Sequence, residues 1–472
     1  MLGKYRSRGA SWPRGGKYNP GVDRKRTRNL GFGGFGSGRA LLLVLLLFCA
    51  GCSDRSHSTA PSQSSSPARV ALIGWDAATW DIIDPLLKDG RLPALKRLID
   101  SGSRGVLVAG PPILSPVAWT TLATGFPPSA HGITGFILPD PRDRRPVLAA
   151  SFHRRRAALW QMASARKRTV GFVGWWTTWP AEPVAGYMVT DHLAYNRWDA
   201  WAQRSESADF HLTYPRELEA ELENVAVHPE TLSEELLTGI VPFNAAERRE
   251  MLAATEPVLF HGPSVFRFGY ATDASNAAFA RKLLETRPQP DLFATVFVLS
   301  DIAGHVFFHH LRPAAFPGVA IDGHLAQAIP NTYSQIDRWT EEILARLDPQ
   351  TRVVILSDHG MQPTGRAPVP RKTPAGDHAP EGILVVSGGG VPQGRDLGRI
   401  SSLDLAPTVL ALLGLPVGGD MPGRVIDGVL PSGVRVFSID SYGAGSGAEL
   451  PENESPADDT LRRRLRSLGY IQ

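Results

Sequence analysis

The sequence predicts an α/β fold with a mostly parallel central sheet flanked by helices and a cap-like insertion. Short β-branched apolar runs alternate with helical stretches after residue 68, which is the pattern of βα units. The 472 residues, 43% of them hydrophobic, are enough to bury a large core, and this excludes a chain that is disordered throughout. The expected strands are 69–74, 292–300, 352–357 and 382–386, and apolar residues at helical spacing predict a helix over 331–347.

The positive charge of the chain is concentrated at its N-terminus. Residues 1–39 contain ten lysines and arginines against one aspartate, whereas the whole chain has a net charge of only +4. The rest is therefore mildly acidic, and nucleic acid is not an expected partner. The apolar run 40–50 that follows is shorter than the roughly 20 residues of a spanning helix, and it is typical of the h-region of an export signal.

Both cysteines, Cys49 and Cys52, lie beside this apolar run, where the sequence resembles a bacterial lipoprotein cleavage box. We expect residues 1–52 to be a basic arm with a signal peptide or lipoprotein signal, and an uncleaved anchor is the alternative. The Ser/Pro-rich residues 53–67 then form a linker. The protein is expected in the cell envelope, facing the periplasm or the outside and held to the membrane by an N-terminal lipid or signal anchor. Without a thiol, the body has neither a disulfide nor a thiolate ligand.

The remaining boundaries follow from composition. We expect a catalytic domain over 68–440, with a cap insertion at roughly 139–290, and a C-terminal tail and helix over 441–472. The insertion holds six of the 11 tryptophans, namely Trp160, Trp175, Trp176, Trp179, Trp198 and Trp201. These tryptophans form either the core of the insertion or the wall of a pocket for an anionic or aromatic leaving group.

Three expected strands are followed closely by an aspartate: Asp76, Asp301 and Asp358. A single aspartate in this position often only caps the next helix. However, the carboxyl ends of the strands of an open α/β sheet converge on the ligand crevice, so three such carboxylates are expected to face one site.

Histidines accompany these carboxylates. His305 stands four residues after Asp301, His359 follows Asp358 directly at a turn permitted by Gly360, and His378 is expected on a loop before strand 382–386. Three carboxylates and three imidazoles without a thiolate are ligands suited to Zn²⁺ or Mn²⁺.

The segment 115–125 reads as a short helix with Ser115 as N-cap, Pro116 in the first turn and Gly125 just past the end. Ser115 is either only a cap or a nucleophile, since a hydroxyl at a helix N-terminus is well placed to face a phosphate. No G-x-S-x-G signature surrounds it, which favours activation by metal.

Six ordered segments between about residues 70 and 469 resemble the alkaline phosphatase superfamily and, within it, the type I phosphodiesterase/nucleotide pyrophosphatase family. They begin with ALIGWDAATWDIIDPLLKDGRLPALKRLIDSG and PPILSPVAWTTLATGFPPSAHGITGF, and continue with SDIAGH, VVILSDHGM, GDHAPEGILVVSGGG and SLDLAPTVLALLGLPVGGDMPGR. The resemblance implies a site for two divalent ions, usually Zn²⁺. The first ion would be surrounded by Asp76, Ser115, Asp358 and His359, and the second by Asp301, His305 and His378. Ser115 falls at the family's nucleophile, and the alternatives inside the helix are Thr120, Thr121 and Thr124.

The expected function is therefore that of a metal-dependent phosphoesterase, a hydrolase of the phosphodiesterase/nucleotide pyrophosphatase type that acts on a small-molecule or headgroup phosphoester. The alternatives are a phosphotransferase or phosphonate hydrolase of the same superfamily, or a non-catalytic envelope lipoprotein. The body lacks the cysteine of a sulfatase C-x-P-x-R motif, and the segment 131–136 lacks the asparagine that nucleotide pyrophosphatases use to hold phosphate. The preference between monoesters and diesters and the oligomeric state stay open.

The lipoprotein expectation predicts that Cys52→Ala abolishes labelling of the full-length protein by a palmitate analogue and releases the protein from the membrane fraction. Cys49→Ala is the matched control and should keep both the label and the membrane fractionation. Unaltered labelling and fractionation of Cys52→Ala would contradict the lipoprotein expectation and favour an uncleaved anchor.

Overall fold

A large sheet with helices on both faces forms the body of the chain, seen here in a computed structural model. The structure describes residues 68–144, 146–195, 211–255, 262–364, 375–445, 462 and 466. The expectations for residues 1–67, for Trp198 and Trp201, and for most of the 441–472 tail lie outside these residues. Within them, no helix is both long and apolar enough to span a bilayer.

The strands are, in chain order, β1 (Val70–Trp75), β2 (Gly102–Val108), β3 (Ile137–Pro139), β4 (Pro146–Leu148), β5 (Val170–Trp175), β6 (Gly186–Thr190), β7 (Thr213–Tyr214), β8 (Leu292–Phe297), β9 (Arg352–Leu356), β10 (Gly360–Pro363), β11 (Gly376–Ala379), β12 (Glu381–Ser387), β13 (Asp396–Ser401), β14 (Val417–Gly418) and β15 (Ser438–Ile439).

The α-helices are α1 (Trp80–Lys88), α2 (Pro93–Asp100), α3 (Ser115–Thr124), α4 (Pro128–His131), α5 (Leu159–Ala165), α6 (Asp191–Tyr195), α7 (Leu218–Glu223), α8 (Glu234–Ile240), α9 (Ala245–Ala253), α10 (Gly262–Thr286), α11 (Leu299–Leu311), α12 (Ala328–Leu344) and α13 (Leu405–Leu412). The helix predicted over 331–347 is α12, which begins three residues earlier and ends three residues earlier.

Nine strands join in one sheet in the order β13-β2-β12-β9-β1-β8-β5-β6-β7. Strand β1 pairs in parallel with β8 on one side and β9 on the other. The pairs β5–β8, β5–β6 and β13–β2 are also parallel, which confirms the predicted mostly parallel α/β sheet. The strand predicted over 382–386 is β12, and it runs antiparallel to both of its neighbours. An apolar run specifies a buried strand but not its direction, which explains this difference.

Both faces of the sheet are buried by helices. In β1, Ala71 and Ile73 pack on one face in a core shared with α10, α11 and α12, whereas Val70 and Leu72 pack on the other face with α3, α5 and α13. All six residues of β1 are buried. This burial on both sides is the reason that the strand reads as a continuous apolar run without alternation.

The segment predicted as a cap, 139–290, is not separate from the sheet. It contributes the adjacent strands β5, β6 and β7, and β5 pairs directly with β8. Trp175 is the last residue of β5 and is fully buried beneath α3, with its ring 4.9 Å from that of Trp119 in edge-to-face contact. The helices α7 to α9 and the long α10 fill much of the remainder of the segment.

Two buried aspartates cap helices from a distance. Asp337 in α12 accepts hydrogen bonds from the backbone N–H groups of Ala94 and Leu95 at the start of α2. Asp273 in α10 does the same for α11, where the N–H groups of Val298 and Leu299 lie 2.9 and 2.8 Å from its two carboxylate oxygens. The first-turn amides of a helix have no partner within the helix, so each aspartate fixes the start of the helix that it caps. Helix α11 thereby has a fixed position on the sheet.

Candidate metal centre

Asp76, Asp301 and Asp358 come from three neighbouring strands at the middle of the sheet. Asp76 follows β1 directly, Asp358 follows β9, and Asp301 lies in the first turn of α11 just after β8. All three carboxylates are buried. The predicted convergence of strand ends on one crevice is therefore what the sheet order β9-β1-β8 produces.

The turn after β1 is held by hydrogen bonds that it donates to residues at the ends of the neighbouring strands β8 and β9. The N–H of Asp76 donates to the carbonyl of Phe297, and that of Ala78 donates to Ser357 Oγ at 2.9 Å. Between them, Ala77 has a positive φ of 57°, which an L-residue rarely adopts. These contacts fix the backbone that carries the Asp76 carboxylate.

His378 reaches the site on a hairpin and not on the predicted loop. Strands β10 and β11 pair antiparallel, with His378 opposite Met361. The hairpin packs tightly on α11, because a Cβ on Gly376 would lie 2.5 Å from the carbonyl oxygen of Gly304. Absence of a side chain at Gly376 therefore lets the two elements approach closely.

Gly360 also differs from its expected role. It lies in β10, and a Cβ there would lie 2.1 Å from the carbonyl oxygen of Glu381. The glycine is thus required for close approach of two backbone segments, and not for a turn of unusual φ.

The first cluster contains Asp301, His305 and His378. Asp301 Oδ1 lies 3.2 Å from His305 Nε2 and 3.2 Å from His378 Nε2. The two Nε2 atoms are 3.1 Å apart. Because Asp301 and His305 are four residues apart on α11, they share one face of the helix, as the spacing predicts.

The second cluster contains Asp76, Asp358 and His359. His359 Nε2 lies 3.5 Å from both Asp76 Oδ1 and Asp358 Oδ2. The two clusters are contiguous, since the rings of His359 and His378 have centroids 3.9 Å apart. His359 is also within ligand distance of Asp301 and His378, so this imidazole can serve either group.

The three histidines present the same nitrogen to the site. The Nδ1 atoms of His305, His359 and His378 lie 2.8 to 3.0 Å from the backbone carbonyls of Gly376, Gly360 and Ile113, respectively. A carbonyl only accepts, so each Nδ1 carries the hydrogen and each neutral ring keeps its lone pair on Nε2. Backbone carbonyls of this kind orient the histidines of metal sites.

These residues fit a divalent cation. Bonds of about 2 Å around a tetrahedral ion place neighbouring ligand atoms about 3.3 Å apart, and the separations in both clusters are 3.1 to 3.5 Å. Among the described residues, Asp76 Oδ1, Asp358 Oδ2 and His359 Nε2 are buried without a hydrogen-bond partner. Buried polar atoms without partners are costly, and a cation would satisfy all three.

The electrostatics of the carboxylates agree with this fit. Burial, together with the charge of Asp301, raises the pKa of Asp76 from 3.8 to about 7. Burial and the charges of Asp76 and Asp301 raise the pKa of Asp358 well above its usual range. Burial also acts to raise the pKa of Asp301, but His305 and His378, when protonated, lower it well below the usual value through the charge of His305 and the hydrogen bonds that both rings then donate. Without a bound cation, the site thus has too little positive charge to keep Asp76 and Asp358 ionised at their ordinary pKa.

Ser115 is the first residue of α3 and not its cap, which is Leu114. The helix ends as predicted at Gly125, whose φ is 74°. Ser115 is buried. Residues shortly before and shortly after it in the chain contact the two clusters. Two residues earlier, the carbonyl of Ile113 accepts from His378, and four residues later Trp119 Nε1 donates to Asp76 Oδ2 at 3.0 Å.

The structure adds residues to the site that sequence reasoning missed. The indoles of Trp119 and Trp176 donate to Asp76, and Gly376 allows the contact between helix and hairpin. Asp273 caps the helix that carries Asp301. The predicted helix 115–125 contains Trp119, but no signal in the sequence indicated which carboxylate the indole would contact.

The site is a buried, oxygen- and nitrogen-rich centre at the carboxyl edge of an α/β sheet. The family described as type I phosphodiesterase/nucleotide pyrophosphatase matches residues 70–399, which is more than half of the chain and contains every residue of both clusters. The chain belongs to this family, and the resemblance seen in its motifs is confirmed. No match was found among curated proteins.

Solved structures with similar folds include phosphonoacetate hydrolase from Sinorhizobium meliloti, at 19% identity and a TM-score of 0.37 over 63% of this chain and 57% of that chain. The chain thus spans less than two thirds of the length of that enzyme. Human ectonucleotide pyrophosphatase/phosphodiesterase 5 is 11% identical, with a TM-score of 0.46 over 76% of this chain and 97% of that chain. Alkaline phosphatase PafA is 12% identical, with a TM-score of 0.45 over 77% of this chain and 99% of that chain.

The raised pKa of Asp76 predicts how the stability of the metal-free protein depends on pH. Because the folded pKa of about 7 exceeds the ordinary 3.8, the folded state binds more protons than the unfolded state between these values. We therefore compare the free energies of unfolding of the wild type and of Asp76→Asn in the presence of a chelator. As the pH rises from about 4 to about 7, the value for the wild type should fall relative to that of the variant by on the order of 1 kcal/mol per pH unit.

Urea unfolding at a series of pH values measures this difference. Asp427→Asn, which changes an exposed aspartate, is the control, and its stability should stay parallel to that of the wild type. A difference between wild type and Asp76→Asn that does not vary with pH would contradict the prediction.

Proposed function

We propose that the chain is a metal-dependent phosphoesterase of the phosphodiesterase/nucleotide pyrophosphatase type, with Ser115 as its nucleophile and two divalent ions as cofactors. The observation that carries the proposal is the pair of contiguous buried clusters with three imidazole Nε2 atoms aimed inward, next to the helix that starts at Ser115. Membership of the family supports the same reaction class.

Asp76, Asp358 and His359 would hold one ion, and Asp301, His305 and His378 the other. The mixture of carboxylate and imidazole ligands favours Zn²⁺, with Mn²⁺ as the alternative. Bound ions would supply charge that lowers the pKa of a hydroxyl and neutralises the phosphoryl oxygens.

The surroundings of the helix favour Ser115 over the threonines as nucleophile. Inside α3 the hydroxyls of Thr120, Thr121 and Thr124 each donate to the backbone carbonyl four residues earlier, at 2.6 to 2.9 Å. Ser115 stands in the first turn, where no helical carbonyl four residues earlier is available and where the positive end of the helix dipole favours an anion. The phosphoryl group would therefore bind against this end of α3.

In the proposed reaction, Ser115 Oγ attacks phosphorus as the bond to the leaving-group oxygen breaks. The result is a phosphoserine at Ser115 and a released alcohol. Water then attacks phosphorus, the bond to Oγ breaks, and the serine hydroxyl is restored with release of phosphate or a phosphomonoester. The positive end of the α3 dipole would favour the phosphoryl oxygens in both steps.

We propose that the enzyme works in the cell envelope, on a small-molecule or headgroup phosphoester. The basic arm, the short apolar run and Cys52 support export and attachment at the N-terminus. Because the body is mildly acidic, the phosphoester would be attracted by the site itself and not by a basic protein surface.

Ser115→Ala is expected to lower kcat by about three orders of magnitude or more, because the attacking oxygen is lost. The content of bound zinc, measured by mass spectrometry, should stay close to that of the wild type. Thr124→Val is the matched control, since it removes a buried hydroxyl of the same helix, and it should keep most of the activity. Near-normal turnover by Ser115→Ala would refute the nucleophile.

A substrate panel on the full-length protein tests the reaction class. We expect hydrolysis of bis-p-nitrophenyl phosphate to exceed that of p-nitrophenyl phosphate and of p-nitrophenyl phenylphosphonate, with about two ions bound per chain. Preference for the phosphonate would replace the proposal by a phosphonate hydrolase. With two ions bound, inactivity on all three would favour a transferase, and binding of no ion would favour a non-catalytic protein.

A further inference from the structure

We infer that Trp119 and Trp176 are positioning residues for Asp76. Their two indole N–H groups hold one carboxylate oxygen, Oδ2, so that Asp76 can bind an ion only through Oδ1. This inference rests on the proposed metal centre and specifies how one of its ligands is oriented.

The two oxygens of Asp76 have different surroundings. Oδ2 accepts from Trp119 Nε1 at 3.0 Å and from Trp176 Nε1 at 3.3 Å. Oδ1 has no hydrogen-bond partner among the described residues and lies 3.5 Å from His359 Nε2. Both indoles are buried, so water does not compete for Oδ2.

The chemistry of the indole accounts for the asymmetry. An indole N–H donates but does not accept and has no charge, so it holds a carboxylate without binding metal or repelling a cation. Two such donors occupy the lone pairs of Oδ2 and prevent rotation of the carboxylate. The consequence is monodentate ligation through Oδ1, with the orientation fixed before an ion binds.

Trp119 is held in place by the sheet and by a second tryptophan. A Cβ on Gly74, two residues before Asp76, would lie 2.3 Å from the Cη2 atom of Trp119. The indole therefore lies directly on β1, where only glycine leaves room for it. On the other side, Trp175 packs edge-to-face on Trp119 and donates its indole N–H to the Trp119 carbonyl at 3.3 Å.

Trp176 is held by a strained turn. Its neighbour Thr177 has a positive φ of 61°, a costly conformation for a β-branched residue. The buried Asp191 stabilises the turn by accepting from the N–H groups of Thr177 and Trp179 at 2.8 and 3.1 Å and from the Thr178 hydroxyl at 3.1 Å. This turn places the Trp176 indole against Asp76.

The same turn contacts the helix of the nucleophile. Thr177 Oγ1 and Thr120 Oγ1 lie 2.9 Å apart, and Trp119 is one helical turn after Ser115. Asp76 Oδ2 is therefore the point at which the helix of Ser115, the turn after β5 and the end of β1 meet. Loss of the indole N–H groups should loosen the carboxylate and weaken the ion that Asp76 binds.

The test uses Trp119→Phe and Trp176→Phe in the full-length protein, with zinc affinities measured by competition against a chromophoric chelator. We expect each substitution to weaken one of the two zinc sites by about 10-fold to 100-fold, as for other residues that orient ligands, and to leave the other site nearly unchanged. At low zinc concentration, kcat of each variant should fall by a larger factor than KM rises. Excess zinc should restore much of the lost kcat.

Trp160→Phe is the matched control, because the buried Trp160 indole also donates to a carboxylate oxygen, Glu182 Oε2 at 2.7 Å, but outside the site. It should keep both zinc affinities within about twofold of the wild type. Folded Trp119→Phe and Trp176→Phe with wild-type zinc affinities would overturn the inference and leave the proposed function standing. A wild type that binds no zinc would instead refute the metal centre itself, and the inference with it.

A second measurement does not depend on the variants folding. In wild-type protein labelled with ¹⁵N-tryptophan, the indole N–H resonances of Trp119 and Trp176 should shift when zinc is added, because the charge on Oδ2 changes. The Trp160 resonance should not move, and the peaks are assigned from triple-resonance spectra of the wild-type protein. Absence of any shift for Trp119 and Trp176 at saturating zinc would contradict the inference.

Discussion

Mutual repulsion among three buried carboxylates is the constraint on which the site depends. Asp76, Asp301 and Asp358 are brought together by three adjacent strands, and burial deprives them of the water that would otherwise screen their charges. The surrounding groups are those that offset such a cost. They are the uncharged indole N–H groups on one side of Asp76 and the imidazoles beside the carboxylates. The site therefore holds carboxylates whose charge is costly until a proton or a cation neutralises it.

The parts of the fold that could be predicted from sequence are those fixed by burial. Strands β1, β8 and β9 are buried on both faces and stand out as apolar runs. The direction of β12 and the entry of β5 to β7 into the sheet depend on pairing with strands far away in sequence, and no local pattern encodes that pairing. The segment expected as a cap insertion, 139–290, also completes one side of the sheet.

In the candidate site too, local contacts could be predicted from the sequence and long-range contacts could not. Spacing on one helix predicted that Asp301 and His305 would meet, because that contact is local. His378 lies 73 residues after His305, and its approach depends on Gly304 and Gly376 packing without side chains between them. The indoles that hold Asp76 come from positions 43 and 100 residues away. Contacts of this kind arise from the tertiary arrangement of the sheet, and composition alone cannot reveal them.

The antiparallel direction of β12 has a consequence for how such a chain can diverge. Strand β9 ends, and β12 begins, at the same edge of the sheet, so everything between Asp358 and Glu381 departs from that edge and returns to it. The β10–β11 hairpin stands between them, and it pairs His378 with Met361 close to that edge. Because β10 and β11 form a two-stranded sheet of their own, substitutions at their exposed positions can change the rim of the crevice without changing the pairing of the central strands.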